Sequence, residues 1–392
     1  MKYLICVVAL VVCAGAQLPV QFQHVIIAIQ ENRTPDNLFA DCGISGADVQ
    51  TNEGASLALN DPFGDFGHSH QAYLDDASGN WGAGSNDYVD ATTIEPYCQL
   101  AQEYGFANRM FQTDQGPSLP SHQFLVSGSS APEDTSDLFV SADPRDGTDC
   151  NSPNAIVDTI SPTGSIGTTP ACFTRSSLVD LLVGSDLTWR YYAMRGHGLW
   201  DGVAALQAWY KSPYDTIPSA NILTDISSGQ LASVSWVTPT SACSDHPGTG
   251  NTGCGPAWIS SIVDAVGGSQ YWQNTAILVT WDDWGGWYDH VGPGINTTGW
   301  CEIYCYGFRV PLLVISPNTP AMVDNETHDF GSILKFVEVN FNLPLVGPGT
   351  FADAYADDLS AFFSADPMPF RQIVSRPLTK QELSANGDLD DE

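Results

Sequence analysis

Basic side chains are scarce in this chain. Its 392 residues carry 13 Lys and Arg against 45 Asp and Glu, a formal net charge of −32. Tight binding to phosphate backbones and anionic membranes relies on Lys and Arg. Nucleic acid is therefore excluded as a partner, and the charge itself fits solubility in acidic or salty surroundings. Long apolar runs are missing too. The stretch Leu4 to Cys13 is too short to span a bilayer, which takes about 20 residues, and no later segment reads as transmembrane. No stable membrane insertion is expected. Tight CxxC spacing with a matching second pair is absent, which counts against a structural zinc site. No internal repeat is present, and the sequence leaves the oligomeric state open.

The N-terminus has the makings of an export signal. Lys2 supplies the positive start, Leu4 to Cys13 the apolar stretch, and Ala14-Gly15-Ala16 a small-residue cleavage site. Residues 1–16 are read as that signal, which makes the mature protein secreted or periplasmic. Cys6 and Cys13 fall within it. The other eight of the ten cysteines are an even number in an exported chain, as disulfides require. The simplest pairing is local: Cys150–Cys172, Cys243–Cys254 and Cys301–Cys305, leaving Cys42–Cys98.

Strand-like runs recur at His24–Gln30, Leu187–Met194, Ala232–Pro239, Ala276–Trp281 and Pro311–Ser316. Helix-like stretches lie between several of them, at Glu95–Ala107, Ser176–Leu182, Gly202–Trp209, Ala257–Val266 and Gly331–Phe341. Such alternation predicts a layered α/β sandwich. Residues 17–383 are read as one domain with an irregular or small β insert near 129–174, and 384–392 as an acidic tail.

Two of the strands run straight into metal-type ligands. His24–Gln30 ends at Glu31-Asn32, and Ala276–Trp281 ends at Asp282-Asp283. Short β-branched apolar runs suit strands covered on both faces, and ligands of open α/β sheets bind beyond the carboxyl ends of such strands. Adjacent carboxylates there repel each other unless a cation lies between them. Oxygen donors of this kind imply a hard or borderline divalent metal cation. For an isolated Glu-Asn pair, the start of a loop would be the simpler reading. The repetition at a second core strand weakens that reading.

Gln115-Gly116-Pro117-Ser118-Leu119-Pro120-Ser121-His122 is the second feature. Pro120 suits a first helical turn, which sets Ser118 just before a helix N-terminus whose free N–H groups favour an alkoxide or a phosphate. On spacing alone, an ordinary serine cap is the better reading. His68, in a loop of turn residues, and His246, after the Ala232–Pro239 strand, are candidates to bind phosphoryl oxygens or protonate a leaving group. His290 follows the Asp pair closely and is expected to orient it. His70, His122, His197 and His328 receive no assignment. Gly285-Gly286 permits close backbone approach to a ligand, and Trp281, Trp284, Trp287 and Tyr288 read as core and rim packing.

Together these segments resemble the phosphoesterase family that contains bacterial and plant non-specific phospholipases C and an acid phosphatase branch. Glu31-Asn32-Arg33-Thr34-Pro35-Asp36-Asn37-Leu38-Phe39 is similar to the family's opening ENRSxDxxF block, and Asp65-Phe66-Gly67-His68-Ser69 to its DPxHS block. Pro117-Ser118-Leu119-Pro120-Ser121 resembles the nucleophile block, Asp245-His246-Pro247 the [DE]HP block, and Trp281 to Val291 the T-x-DExGGxYDHV block. Five blocks in order, over roughly residues 22 to 345, are more specific than any one of them.

The resemblance implies a three-layer α/β/α sandwich, alkaline-phosphatase-like. It implies metal ligation by Glu31, Asn32, Ser118, Asp282 and Asp283, with Ser118 as nucleophile and His68 and His246 as catalytic contacts to the phosphoryl group. The implied activity is that of a metal-dependent phosphoester hydrolase with a phosphoserine intermediate. Its substrate would be a phosphomonoester, as for an acid phosphatase, or a zwitterionic phospholipid, as for a phospholipase C. Two positions depart from the family: Ser121 stands where Asn is usual, and Asp283 where Glu is usual. A catalytically impaired, metal-stabilised binding protein on the same scaffold is the alternative of a different class. Retention of Ser118, His68 and His246 together argues against it. A sulfatase fits less well, since no Cys-x-Pro-x-Arg-type site is present.

Overall fold

A computed structural model describes residues 18–61, 66–194, 198–248, 250–294, 304 and 306–384. The export signal, Cys301–Cys305, Asp65, His197 and nearly all of the acidic tail lie outside the described residues.

The β-branched run His24–Gln30 forms a strand whose residues beyond His24 are all buried. It lies inside an eight-stranded sheet. Val234–Val237 pairs with it in parallel on one side and Thr275–Trp281 in parallel on the other. Beyond Val234–Val237 come Trp189–Ala193 and the edge pair Ile217–Pro218. Beyond Thr275–Trp281 come Leu312–Ile315, Gly105–Ala107 and Met322–Asp324. Leu312–Ile315 runs antiparallel to both of its neighbours.

Two sets of helices accompany the sheet, giving the layered α/β/α arrangement. Glu95–Glu103, Asn221–Ser227 and Gly255–Gly267 pack in one set; Ser118–Ser127, Leu178–Gly184 and Phe330–Phe341 pack in the other. Within 129–174, Phe139–Val140, Ile156–Ile160 and Ile166–Pro170 form a separate antiparallel sheet. Cys42–Cys98, Cys150–Cys172 and Cys243–Cys254 are joined as disulfides. Among the described residues, no helix is long and apolar enough to cross a membrane.

Two expected helices change. Gly202–Trp209 is a run of turns instead. Its backbone is diverted to Phe173, whose N–H donates to Ala205 O at 2.8 Å and whose carbonyl accepts from Gln207 N at 2.9 Å. Asp201 Oδ1 also accepts from the N–H groups of Val203 and Ala204. The helix expected over Glu95–Ala107 ends at Glu103, and Gly105–Ala107 enters the main sheet. Gly105 makes this possible, because a Cβ there would sit 2.5 Å from the Phe362 ring.

Buried acids away from the strand ends set a pH dependence. Burial pushes the Asp329 carboxyl from 3.8 to about 6. Burial, then the neighbouring Asp353, pushes Glu338 from 4.5 to about 8. Burial alone would lower His328, but hydrogen bonds to Asp324 and Asp357 carry it from 6.5 to about 9. Each folded value lies above the unfolded one. The associated stability is therefore complete below the unfolded value and is lost as pH rises through the folded one. The Arg376 guanidinium acts oppositely, holding Glu382 at about 2, so that contribution is lost only as pH falls toward 2. Thermal unfolding followed by calorimetry should give a Tm several degrees higher at pH 5 than at pH 9. A Tm that is flat or rises over that interval would contradict these assignments.

Candidate active site

The register Gln30↔Trp281 sets Glu31 beside Asp282. Asp282 N–H continues the ladder by donating to Gln30 O at 3.0 Å, and Glu31 N–H donates to Ser244 O at 2.8 Å. Three parallel strands thus open onto one edge, which brings the loop carrying Asp245-His246 to the same place.

Glu31 and Asp282 are fully buried. Burial first, and then the charges of Asp282 and Asp283, push the Glu31 carboxyl well above its usual range. Among the described residues, no Lys or Arg pairs with Glu31 or Asp282, and Asp282 Oδ2 has no hydrogen-bond partner. An orphaned carboxylate oxygen beside a second buried carboxylate is the donor set a divalent cation fits. Glu31, His122 and Asp282 present ligand atoms all within 4.8 Å of one another.

Ser118 is the first residue of the Ser118–Ser127 helix, with Pro117 at the cap position. Its hydroxyl donates to Glu31 Oε2 at 3.3 Å. The helix is buried along its whole length, and Trp236 Nε1–H anchors it to the sheet by donating to Leu125 O at 3.1 Å. The Leu119 N–H, expected to be free for an anion, instead donates to Asp143 Oδ1 at 2.8 Å. Ser121 donates to Asp114 Oδ2 at 3.1 Å, and Gln112 Nε2 donates to the Ser121 hydroxyl at the same distance. Ser121 thus spends its hydroxyl on the segment that leads into its own helix.

Asn32, at φ +61°, joins the carboxylates to the histidines. Its carboxamide fits with Nδ2 donating to Glu31 Oε2 at 3.2 Å and Asp282 Oδ1 at 3.3 Å. Oδ1 then faces His68 Nε2 at 2.9 Å and His246 Nε2 at 3.2 Å. Each of these rings also gives its Nδ1–H to a backbone carbonyl, His68 to Phe66 O at 2.9 Å and His246 to Pro247 O at 2.6 Å. The rings are fixed, and Nε2 is the nitrogen turned inward. A cation between the carboxylates would reverse the amide, because only Oδ1 can face a metal.

Asp245 shapes the turn that presents His246. It has φ +72°. Its Oδ2 accepts from Tyr97 Oη at 2.7 Å, Gln30 Nε2 at 3.1 Å and Trp281 Nε1 at 3.2 Å. Asp283 stands slightly apart. Its Oδ1 accepts from Gly285 N–H at 2.7 Å, and its Oδ2 lies 4.0 Å from His68 Nε2. Gly285 and Gly286 have φ of +61° and +66°. A Cβ on Gly285 would come 2.6 Å from Asn32 O, and one on Gly286 2.4 Å from Phe66 Cβ, so the loop can close against both only without side chains.

His290 lies farther out. It contacts Asp36 Oδ2 at 2.7 Å through Nδ1 and Asp48 Oδ1 at 3.1 Å through Nε2. Arg309 completes that network, donating from Nε and Nη2 to Asp289 at 2.8 and 3.0 Å. These groups bind the two strand-end loops together, since Asp36 follows Glu31-Asn32 and Asp289 follows Asp282-Asp283.

His122 is the residue that sequence reasoning left unassigned. Its Nε2 lies 3.2 Å from Glu31 Oε1 and 3.7 Å from Asp282 Oδ2. Burial pushes the ring down to about 4, which keeps it neutral near neutral pH. The signal was its spacing: four residues beyond Ser118, it must share that serine's helical face.

A family model described as the Phosphoesterase family matches residues 22–344. Phospholipase C B of Mycobacterium tuberculosis is 29% identical over 176 residues, 39% of this chain and 34% of the relative. Hemolytic phospholipase C of Pseudomonas aeruginosa is 22% identical over 424 residues, 87% of this chain and 56% of the relative. The chain thus spans from about a third to about half of these relatives' own length. A solved protein of the alkaline phosphatase superfamily from Vibrio parahaemolyticus superposes over 93% of this chain and 73% of its own, with a TM-score of 0.43 and 12% identity. That likeness is too distant to bear on chemistry.

Proposed function

The chain belongs to the phosphoesterase family, and we propose that it hydrolyses phosphoesters through a covalent intermediate on Ser118. The observation that supports this most is the meeting of Ser118 Oγ with Glu31 Oε2 at 3.3 Å, beside Asp282 and within one amide of two fixed histidines. Glu31, Asn32, Asp282 and Asp283 are the residues proposed to hold a divalent cation. Such a cation would lower the pKa of the Ser118 hydroxyl and offset charge on the phosphoryl oxygens.

Ser118 Oγ, its pKa lowered by the cation, releases its proton to water and attacks phosphorus in line with the ester oxygen. The new Oγ–P bond forms as the P–O bond to the leaving alcohol breaks. His68 and His246, held by their carbonyl contacts, turn Nε2–H toward phosphoryl oxygens. His246, the more accessible of the two, gives its proton to the departing alkoxide. Water then attacks phosphorus and gives a proton back to His246 as the Oγ–P bond breaks; phosphate leaves and Ser118 takes up a proton from solvent. Residues 17–383 would act as one unit, with 129–174 as an insert that contributes Asp143. Export is supported by the N-terminal apolar stretch and the three disulfides, which suit an oxidising compartment.

The relatives' name, phospholipase C, supports a phosphodiester lipid as substrate, and the −32 charge favours a zwitterionic headgroup over an anionic one. A parallel assay on phosphatidylcholine and p-nitrophenyl phosphate tests this. Faster turnover of phosphatidylcholine is expected. Preference for p-nitrophenyl phosphate would make the protein a phosphomonoesterase, and turnover of neither would leave only a binding role.

A further inference from the structure

The His122 ring is 0% exposed and sits between two partners of opposite demand. On one side, Nδ1 faces the Tyr191 hydroxyl at 3.4 Å. That hydroxyl donates to Trp200 O at 2.8 Å and accepts from Gly202 N–H at 3.3 Å. A phenol has one proton. With that proton on Trp200 O, Tyr191 can only accept from His122, so Nδ1 carries the ring hydrogen. Nε2 is then a bare lone pair aimed at Glu31 Oε1 at 3.2 Å and Asp282 Oδ2 at 3.7 Å.

Facing two ionised carboxylate oxygens, that lone pair is repulsive; a proton on Glu31 or a cation among the three groups makes the contact cohesive. Ligand atoms about 2.1 Å from a metal at roughly tetrahedral to right angles stand about 3.0–3.4 Å apart. The 3.2 Å contact to Glu31 has the spacing of two ligands on one ion, and the 3.7 Å contact to Asp282 exceeds it by about 0.3 Å. Asp283, whose Oδ1 is taken by Gly285 N–H, is not among the atoms that cluster with Glu31 and Asp282. The imidazole supplies a further donor beside Glu31 and Asp282. It arrives on the same helix as Ser118, one turn later.

We propose that His122 Nε2 is a ligand of the cation held by Glu31 and Asp282, so that the centre takes a borderline transition ion in preference to Ca2+ or Mg2+. Imidazole suits Zn2+, Cu2+, Fe2+ or Ni2+, whereas all-oxygen sites suit Mg2+, Ca2+ and Mn2+. The inference rests on the reading of this cluster as a metal centre.

The test is electron paramagnetic resonance of the full chain loaded with Cu2+, together with direct titration of Zn2+ and Ca2+. Wild-type protein should show nitrogen coupling from one imidazole and bind Zn2+ more tightly than Ca2+. His122→Gln should lose that coupling and bind Zn2+ about a hundredfold more weakly, with Ca2+ affinity little changed and the same circular dichroism. His68→Gln and His246→Gln should keep the coupling. If the coupling survives in H122Q, or is absent from wild type, His122 is only a hydrogen-bond partner of Glu31 and the proposal fails. In that event a protein that still binds a divalent ion and turns over keeps the metal-centre reading intact. Failure to bind any divalent ion overturns both.

Discussion

Ser118→Ala is expected to reduce kcat by roughly four orders of magnitude or more, to near the uncatalysed level. Ser118 Oγ is the hydroxyl that touches Glu31, and it stands at the first position of a helix buried on all sides. Among the neighbouring hydroxyls, Ser121 is committed to Asp114 and Tyr191 to Trp200 O, so neither is placed to take over. The substitution removes one oxygen and opens little space, so folding and divalent-ion content should persist. Metal analysis of the purified variant separates loss of the nucleophile from loss of the centre. Turnover within tenfold of wild type would remove Ser118 from the chemistry.

Asp282→Asn should be nearly as damaging, lowering kcat/KM by about three orders of magnitude while abolishing tight divalent-ion binding. The change is isosteric, and the Asp282 backbone keeps its ladder bond to Gln30 O. The sign of the stability effect is diagnostic. In ion-free protein, Asp282 is one of the charges that raise Glu31, so neutralising it relieves repulsion. Ion-free D282N should therefore melt at or above the temperature of ion-free wild type. Saturating divalent ion should raise the Tm of wild type and leave D282N unmoved. Equal stabilisation of both proteins by the ion would place the binding site elsewhere.

The strand ends were readable because burial on both faces leaves an unbroken β-branched run, and a charged residue directly after it must lie at the sheet edge. Val25–Ile29 and Ala276–Val279 carried that pattern, and Glu31 and Asp282 came together through simple parallel register. Gly202–Trp209 misled because its helical spacing of apolar residues competes with pairing to Phe173, a contact distant in sequence. Gly105–Ala107 was absorbed into the preceding helix because three residues are too few to display a period of two. Asp143 could not be placed in advance, since its position at the Ser118–Ser127 helix depends on how the 129–174 segment folds. His122 was within reach of sequence reasoning through its spacing from Ser118, but a single buried histidine gives no sign of which face meets carboxylates.

The stereochemical course at phosphorus is the most direct test, using a phosphoester made chiral with oxygen isotopes and sulfur. Two successive in-line displacements, the first by Ser118 Oγ and the second by water, each invert phosphorus. The account predicts overall retention of configuration. Clean inversion would mean that water attacks the ester directly, and would contradict the covalent role of Ser118.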